Sequence, residues 1–268
     1  MPPLLTVEQL VLGYLAYVTA VAWLGGRPQR ARLVLTGVAA ADATFIVGLA
    51  SLPSPAAAVA REWLPPLQVL IGYWLSGLLF EQPMPRVERW LVRSDEWIAA
   101  RTGARRLFDA TPNLVLELLE LAYLTVSPMV PLGFALVFFL ADTRDADRFW
   151  TVVVSAELGC YAMLPWIQTR PPFATMSTEF IERRNLLFRR WSRAFMRKVS
   201  IHVNTLPSGH AAGSLATALV VWEQLPAAGP WFLAWALLIV VGSIVGRNHY
   251  AIDAVTGMAL ALVVWGIV

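Results

Sequence analysis

Long apolar runs dominate the chain, at 4–24, 33–52, 64–80, 114–140, 149–169, 209–225, 231–246 and 250–268. Most of them could cross a hydrocarbon core of about 30 Å as helices. None alternates apolar and polar positions like a barrel strand. A backbone in lipid must also satisfy its own hydrogen bonds, so the runs predict helices. The expected fold is all-α, a polytopic transmembrane helix bundle of about eight spans.

Two connections have a helical pattern of their own. In 81–111, Val87, Trp90, Leu91, Trp97 and Ile98 recur among Arg89, Arg93, Asp95 and Glu96. In 170–207, Leu187, Phe188, Trp191 and Phe195 alternate with seven basic residues, and Ser192 falls among the positions expected to be exposed. Both read as amphipathic helices lying in the membrane interface. The sequence has no repeat and no Gly/Ser linker. It therefore reads as one continuous membrane domain, with N-terminal spans and an interfacial helix over 1–148 and the chemistry concentrated in 149–268.

Composition strengthens this reading. Hydrophobic residues are 57% of 268, charged residues 15%, and mean hydropathy is +0.59, which no single soluble core of this length would hide. The expected location is the cell membrane, as a multi-pass protein. The first run has no preceding basic residue and no small-residue cleavage site, and reads as a retained anchor. Cys160 stands alone, which excludes a disulfide framework. The net charge of +3 resides in arginines of the connections, pointing to anionic lipid head groups or to membrane topology before nucleic acid. Oligomeric state is not legible.

All three histidines follow residue 200. In Asn-Thr-Leu-Pro-Ser-Gly-His, 204–210, Pro207 and Ser208 signal a helix start, and Gly209 lets backbone approach a ligand. An anion fits such a helix N-terminus. In Ser-Ile-Val-Gly-Arg-Asn-His-Tyr-Ala-Ile-Asp, 243–253, His249 and Asp253 lie four apart on one helical face. The carboxylate can hold one ring nitrogen and leave the other free to attack. If the last spans cross back and forth, His210, Arg247, His249 and Arg170 all emerge at the same face. His202 lacks such company and stays unassigned.

At these two stretches the sequence resembles the type 2 phosphatidic acid phosphatase superfamily. PSGH at 207–210 and the 243–253 stretch are similar to its second and third signature blocks. The resemblance implies that His249 is the nucleophile taking the phosphoryl group, Asp253 its partner, and His210 the acid that protonates the leaving alcohol. It further implies that Arg170, Ser208, Gly209 and Arg247 bind phosphate oxygens. Two positions depart from the pattern. Ile244 stands where the third block has arginine, the cation falling at Arg247 instead. Met163 stands at the lysine position of the first block, which Arg170 and Pro171 otherwise match.

The function implied is an integral membrane lipid phosphatase working through a phosphohistidine. The alternative is a lipid head-group phosphotransferase, akin to inositol phosphorylceramide and sphingomyelin synthases, the branch in which the first block is degenerate. A non-catalytic lipid-phosphate binder or transporter would keep the arginines without needing both histidines and Asp253. The expected partners are a lipid phosphate substrate and membrane lipids. No cofactor is expected. No metal is assigned either, because Arg247 would repel a dication held by His210, His249 and Asp253.

Asp42, Glu117, Glu120 and Glu157 lie inside apolar runs, where an ionisable group is costly. Glu117 and Glu120 are the candidates for head-group contacts, while Asp42 and Glu157 have no assigned role. If 114–140 is one span bent near Pro128 and Pro131, the basic segments 27–32, 86–106 and 170–198 share a face. The positive-inside rule makes that face cytoplasmic.

Overall fold

The computed structural model describes residues 3–268. Among them every regular element is a helix, and the single β pairing is an isolated antiparallel bridge between Thr169 and Asn204. The first half contains α1 (Thr6–Leu24), α2 (Gln29–Ala50), α3 (Pro55–Trp63), α4 (Pro65–Gly77), α5 (Pro85–Thr102), α6 (Ala104–Ala110), α7 (Asn113–Leu124) and α8 (Val126–Leu140). The second half contains α9 (Ala146–Ala162), the short α10 (Pro172–Thr175) and α11 (Glu179–Glu182), then α12 (Leu187–Val199), α13 (Gly209–Gln224), α14 (Gly229–Val245) and α15 (Ala251–Ile267).

Local chemistry sets the helix ends. Asp145 caps α9 by accepting from the Arg148 amide at 2.9 Å, and Ser208 caps α13 by accepting from the Ala211 amide at 3.3 Å. Asp253 caps the start of α15, accepting from the Tyr250 amide at 2.9 Å. Helix α5 opens on Pro85 and closes at Gly103, which sits in the left-handed region with φ 65°.

By length and composition α1 and α2 each suffice to cross a membrane, and α7 with α8 passes as a bent pair. Helices α14 and α15 are apolar but have 17 residues each. Two further apolar runs yield shorter helices than expected, because loops take their ends: 64–80 is helical only to Gly77 as α4, and 149–169 only to Ala162 as α9. The 114–140 run breaks at Thr125 with a bend of 66°. It still travels the length of the bundle. Glu117 in α7 meets α12 at one end, while Asp145, just beyond α8, meets Gln224 at the other.

Helix α13 lies at the centre, packed by α8, α9, α14 and α15. Phe134, Phe149 and Trp150 stack beside it, with ring centroids 4.7–5.3 Å apart. Gly257 lets α15 close onto the Ser208 backbone, where a methyl group would collide with the Ser208 carbonyl.

The core is mainly hydrophobic, but the outer surface is also widely apolar and a few ionisable groups lie buried. Glu8 and Arg61 form a buried pair at 2.7 Å, Asp42 is buried, and Leu33, Phe45 and Val47 of α2 stand exposed. The interfacial helices follow the same rule. Glu88, Leu91 and Asp95 form the buried face of α5, while Trp90 and Trp97 point outward. Arg189 and Ser192 are buried in α12, and Leu187, Trp191 and Phe195 are exposed. Ser192 is therefore not the exposed position expected from the sequence, because it shares with Arg189 the face of α12 that turns toward the bundle.

Candidate active site

The starts of α13 and α15 and the loop ending α14 meet at one end of the bundle. Ser208 N–H donates to the Asp253 carbonyl at 2.9 Å, which ties the first two together. The Ser243 carbonyl accepts from the amides of Asn248 and His249, at 2.9 and 3.1 Å, and so fixes the loop. His249 Nε2 then lies 3.3 Å from His210 Nδ1. On its other side His249 Nδ1 lies 3.6 Å from Asp253 Oδ2. That is long for a hydrogen bond, as catalytic contacts often are before substrate arrives. Asp253 is fully buried, and Tyr123 stacks on the His210 ring with centroids 5.3 Å apart.

The two arginines reach the site on adjoining loops. Tyr250 Oη donates to the Arg170 carbonyl at 3.3 Å, and the Phe173 amide donates to the Arg247 carbonyl at 2.9 Å. Arg247 adopts the left-handed region with φ 59°, unusual for a residue with a side chain and of a kind that clusters at functional sites. Its Nε is buried without a hydrogen-bond partner among the described residues, so donors remain for an anion. Ile244, where the family pattern has arginine, packs against Ala211, Val240 and Ala254 instead. Met163, at the lysine position, is partly exposed at the end of α9.

Both guanidinium groups are already engaged by carboxylates of α5. Glu88 takes Arg170 in a two-point pair, at 2.9 and 2.8 Å. Asp95 Oδ2 lies 3.5 Å from Arg247 Nη1, and its Oδ1 accepts from the Ala251 amide at 2.9 Å. The Arg170 guanidinium holds the Glu88 carboxyl below its usual range. Burial outweighs Arg247 at Asp95 and pushes its carboxyl up to about 6, with Asp253 adding to the rise. Burial likewise lowers Arg247.

The structure brings His210, His249, Asp253 and Ser208 together, with Arg170 and Arg247 on loops bound to theirs. Gly209 backs against the Tyr161 ring, and its amide meets Thr205 Oγ1 at 3.4 Å. His202 is exposed, with φ 56°. Glu117 accepts from the amides of Leu187 and Phe188, at 2.5 and 2.8 Å, and so caps α12. Glu120 Oε1 pairs with buried Arg189 at 2.8 Å, and Arg189 also donates to the Gly246 carbonyl at 3.0 Å. Among the described residues no three or more His, Cys, Asp or Glu side chains are grouped to hold a metal ion.

Sequence reasoning missed Glu88, Asp95 and Arg189. The available signal was phase: Glu88, Leu91 and Asp95 recur at 3 and 4 residues, a single face of α5.

The helical bundle thus gathers two histidines, a buried carboxylate and two loop arginines at one end. The PAP2 superfamily profile matches residues 87–267, and the chain belongs to that superfamily. Its members are phosphatases and phosphotransferases, which defines the general activity of the chain. The match starts in α5, well before residue 149, so the helix bearing Glu88 and Asp95 lies inside the family region. The chain matches no curated protein and no solved structure.

Proposed function

We propose that the protein is a multi-pass enzyme of the cell membrane that cleaves a phosphate ester of a lipid through a phosphohistidine. The observation that carries this reading is the line Asp253, His249, His210, with contacts of 3.6 and 3.3 Å. His249 Nε2 attacks phosphorus while Asp253 steadies Nδ1. The ester P–O bond breaks, and His210 gives its proton to the departing oxygen. Water then attacks phosphorus, its proton passing to His210, and the P–N bond breaks to free His249 and release phosphate. Phosphorus must enter where the two rings now touch, so the His210 ring moves aside to admit it. Arg170 and Arg247 leave their α5 carboxylates to hold the phosphate oxygens. Lipid as the ester is supported by the apolar exterior of the bundle.

A second reading, transfer of the phosphoryl-bearing head group to an alcohol, is favoured by Met163 at the lysine position. The test is purified protein with a panel of lipid phosphates, with and without an alcohol acceptor, in EDTA. Phosphate release in the absence of acceptor supports the phosphatase. Product formed only with acceptor supports transfer, and neither product rejects both readings.

Asp95 should make substrate affinity depend on pH. Its folded pKa lies above the ordinary 3.8, so its contribution to stability is full below that value and is lost as pH rises through about 6. Over the same window the carboxylate forms and competes with substrate for Arg247. KM should therefore rise with pH through about 6. Asp95→Asn keeps an acceptor for the Ala251 amide, and should lower KM at pH 7.5 by roughly three- to tenfold, in line with the net worth of one ordinary hydrogen bond for a contact as long as 3.5 Å. Substrate phosphate titrates nearby, so the measurement is the difference between the wild-type and Asp95→Asn profiles. Superimposable profiles would remove Asp95 from this role.

The Arg27–Glu81 and Arg170–Glu88 pairs link the basic segments 27–32 and 170–198 to the connection that leads into α5 and to α5 itself, consistent with one shared face. The positive-inside rule makes that face cytoplasmic. With Cys160→Ser as background, a cysteine replacing exposed Arg190 should resist an impermeant maleimide in intact cells and react after permeabilisation. Prompt labelling of intact cells would reverse the orientation.

A further inference from the structure

A cavity of about 400 Å³ lies between α4, the α7–α8 bend, α9 and α12, and His210 and Gly209 close one end of it. Its walls are apolar or aromatic, among them Tyr73, Leu124, Val130, Pro131 and Val199. Leu70, Trp74 and Phe195 also line it and are exposed, so its mouth opens through apolar side chains on the outside of the bundle. The volume holds about a dozen water-sized groups. An apolar chain entering from lipid fits this lining, and its head-group end would meet His210.

Apart from His210, one ionisable carboxyl interrupts this lining, which also includes Ser127. Glu157 of α9 faces the cavity, is 8% exposed, and makes a single side-chain hydrogen bond among the described residues, from Tyr161 Oη to Oε2 at 3.2 Å. A carboxyl has capacity for several such bonds, and leaving it short of them in an apolar setting is costly. The neighbouring helix reserves room for it, since a methyl group on Gly213 of α13 would collide with the Glu157 carboxyl. Gly213 lies three residues beyond His210, a rise of about 4.5 Å along the helix. The carboxyl is thus one short step below the reacting end.

We propose that this cavity receives the apolar chain of the lipid, and that Glu157, with Tyr161, recognises a hydrogen-bond donor on that lipid next to its phosphate, a hydroxyl or an amide N–H. This rests on the phosphate-ester reading for the position of the head group. The carboxyl supplies the acceptor, Tyr161 holds it in place, and a lipid lacking the donor leaves the carboxyl short of a partner.

The test measures binding separately from turnover. His249→Ala protein in detergent is titrated with a lysophosphatidate and with its analogue lacking the glycerol hydroxyl, each displacing a fluorescent lipid phosphate. The hydroxylated lipid should bind about tenfold more tightly, the worth of one hydrogen bond to a charged or polar buried group. Glu157→Met in the same background should bring the ratio near one. Should that variant not fold, Glu157→Gln, which keeps shape and one acceptor, should still reduce the ratio about threefold. Equal affinities for the two probes, or a ratio untouched by the Glu157 substitutions, overturns the inference and leaves the phosphate-ester reading standing. A ratio that collapses as expected supports the inference even if wild-type protein neither releases nor transfers phosphate, a result that would reject only the functional reading.

Discussion

Replacing His249 by alanine should abolish turnover, by a factor of about 10⁴ or more, together with any acid-labile phosphoenzyme. The expectation follows from its place between two groups. Asp253 lies 3.6 Å from Nδ1 and is fully buried, so it can steady the cation that forms when Nε2 bonds to phosphorus. His210, 3.3 Å from Nε2, is the group proposed to protonate the leaving oxygen. The two histidines should therefore fail differently. His210→Ala should still form phosphoenzyme from an aryl phosphate, whose leaving group departs without a proton. With an alkyl lipid ester it should be slower by about 10²–10⁴, the usual worth of a general acid. Rapid-quench trapping with labelled substrate distinguishes the cases, and equal phosphoenzyme formation by wild type and His249→Ala would remove His249 from the nucleophile role.

The parts legible in the sequence were those governed by local rules. The runs 209–225, 231–246 and 250–268 became α13, α14 and α15 with ends displaced by a few residues, because Ser208 and Asp253 cap where capping residues should. The convergence of the PSGH stretch with His249 and Asp253 followed from counting crossings. The 114–140 run was harder. Pro128 and Pro131 predicted a bend, but the break falls at Thr125, where Thr125 Oγ1 accepts from Trp235 Nε1 at 2.8 Å. That contact is long-range and invisible to a local pattern.

On the interfacial helices the outward tryptophans agree with a helix lying in the interface, and the position that differs is Ser192, expected exposed and found buried. In water Trp90, Trp97, Trp191 and Phe195 would mark the buried stripe, and Glu88, Asp95, Arg189 and Ser192 the solvated one. Here the assignment is reversed. The tryptophans turn outward beside the exposed basic residues, while Glu88, Asp95, Arg189 and Ser192 turn inward, the first three onto partners around the site. A sequence pattern gives the division into two faces but not which solvent each face meets. That ambiguity hid Glu88 and Asp95, the carboxylates that occupy the two arginines, and Arg189, which holds the loop before Arg247.

Arg189→Leu should lower stability by about 3–5 kcal/mol and kcat by about 10²-fold, and the two losses should come from separate contacts. Arg189 is 3% exposed and bonds Glu120 Oε1 at 2.8 Å, Glu182 Oε1 at 2.9 Å and the Gly246 carbonyl at 3.0 Å. Removing the guanidinium leaves Glu120 as an uncompensated buried carboxylate, with Oε2 already lacking a partner among the described residues. That accounts for the stability term. The Gly246 carbonyl also loses its donor, and Gly246 directly precedes Arg247, three residues before His249. A loop released there shifts both the anion-binding guanidinium and the nucleophile, and displacement of about 1 Å suffices for the kinetic term. The double variant Arg189→Leu with Glu120→Leu removes both charges, and should recover most of the thermal midpoint in detergent, as apolar replacements of buried pairs often do. It does not restore a donor to Gly246, so kcat should stay low. Recovery of midpoint and kcat together would make Arg189 a stability residue only, whereas recovery of the midpoint alone makes it the residue that positions the catalytic loop.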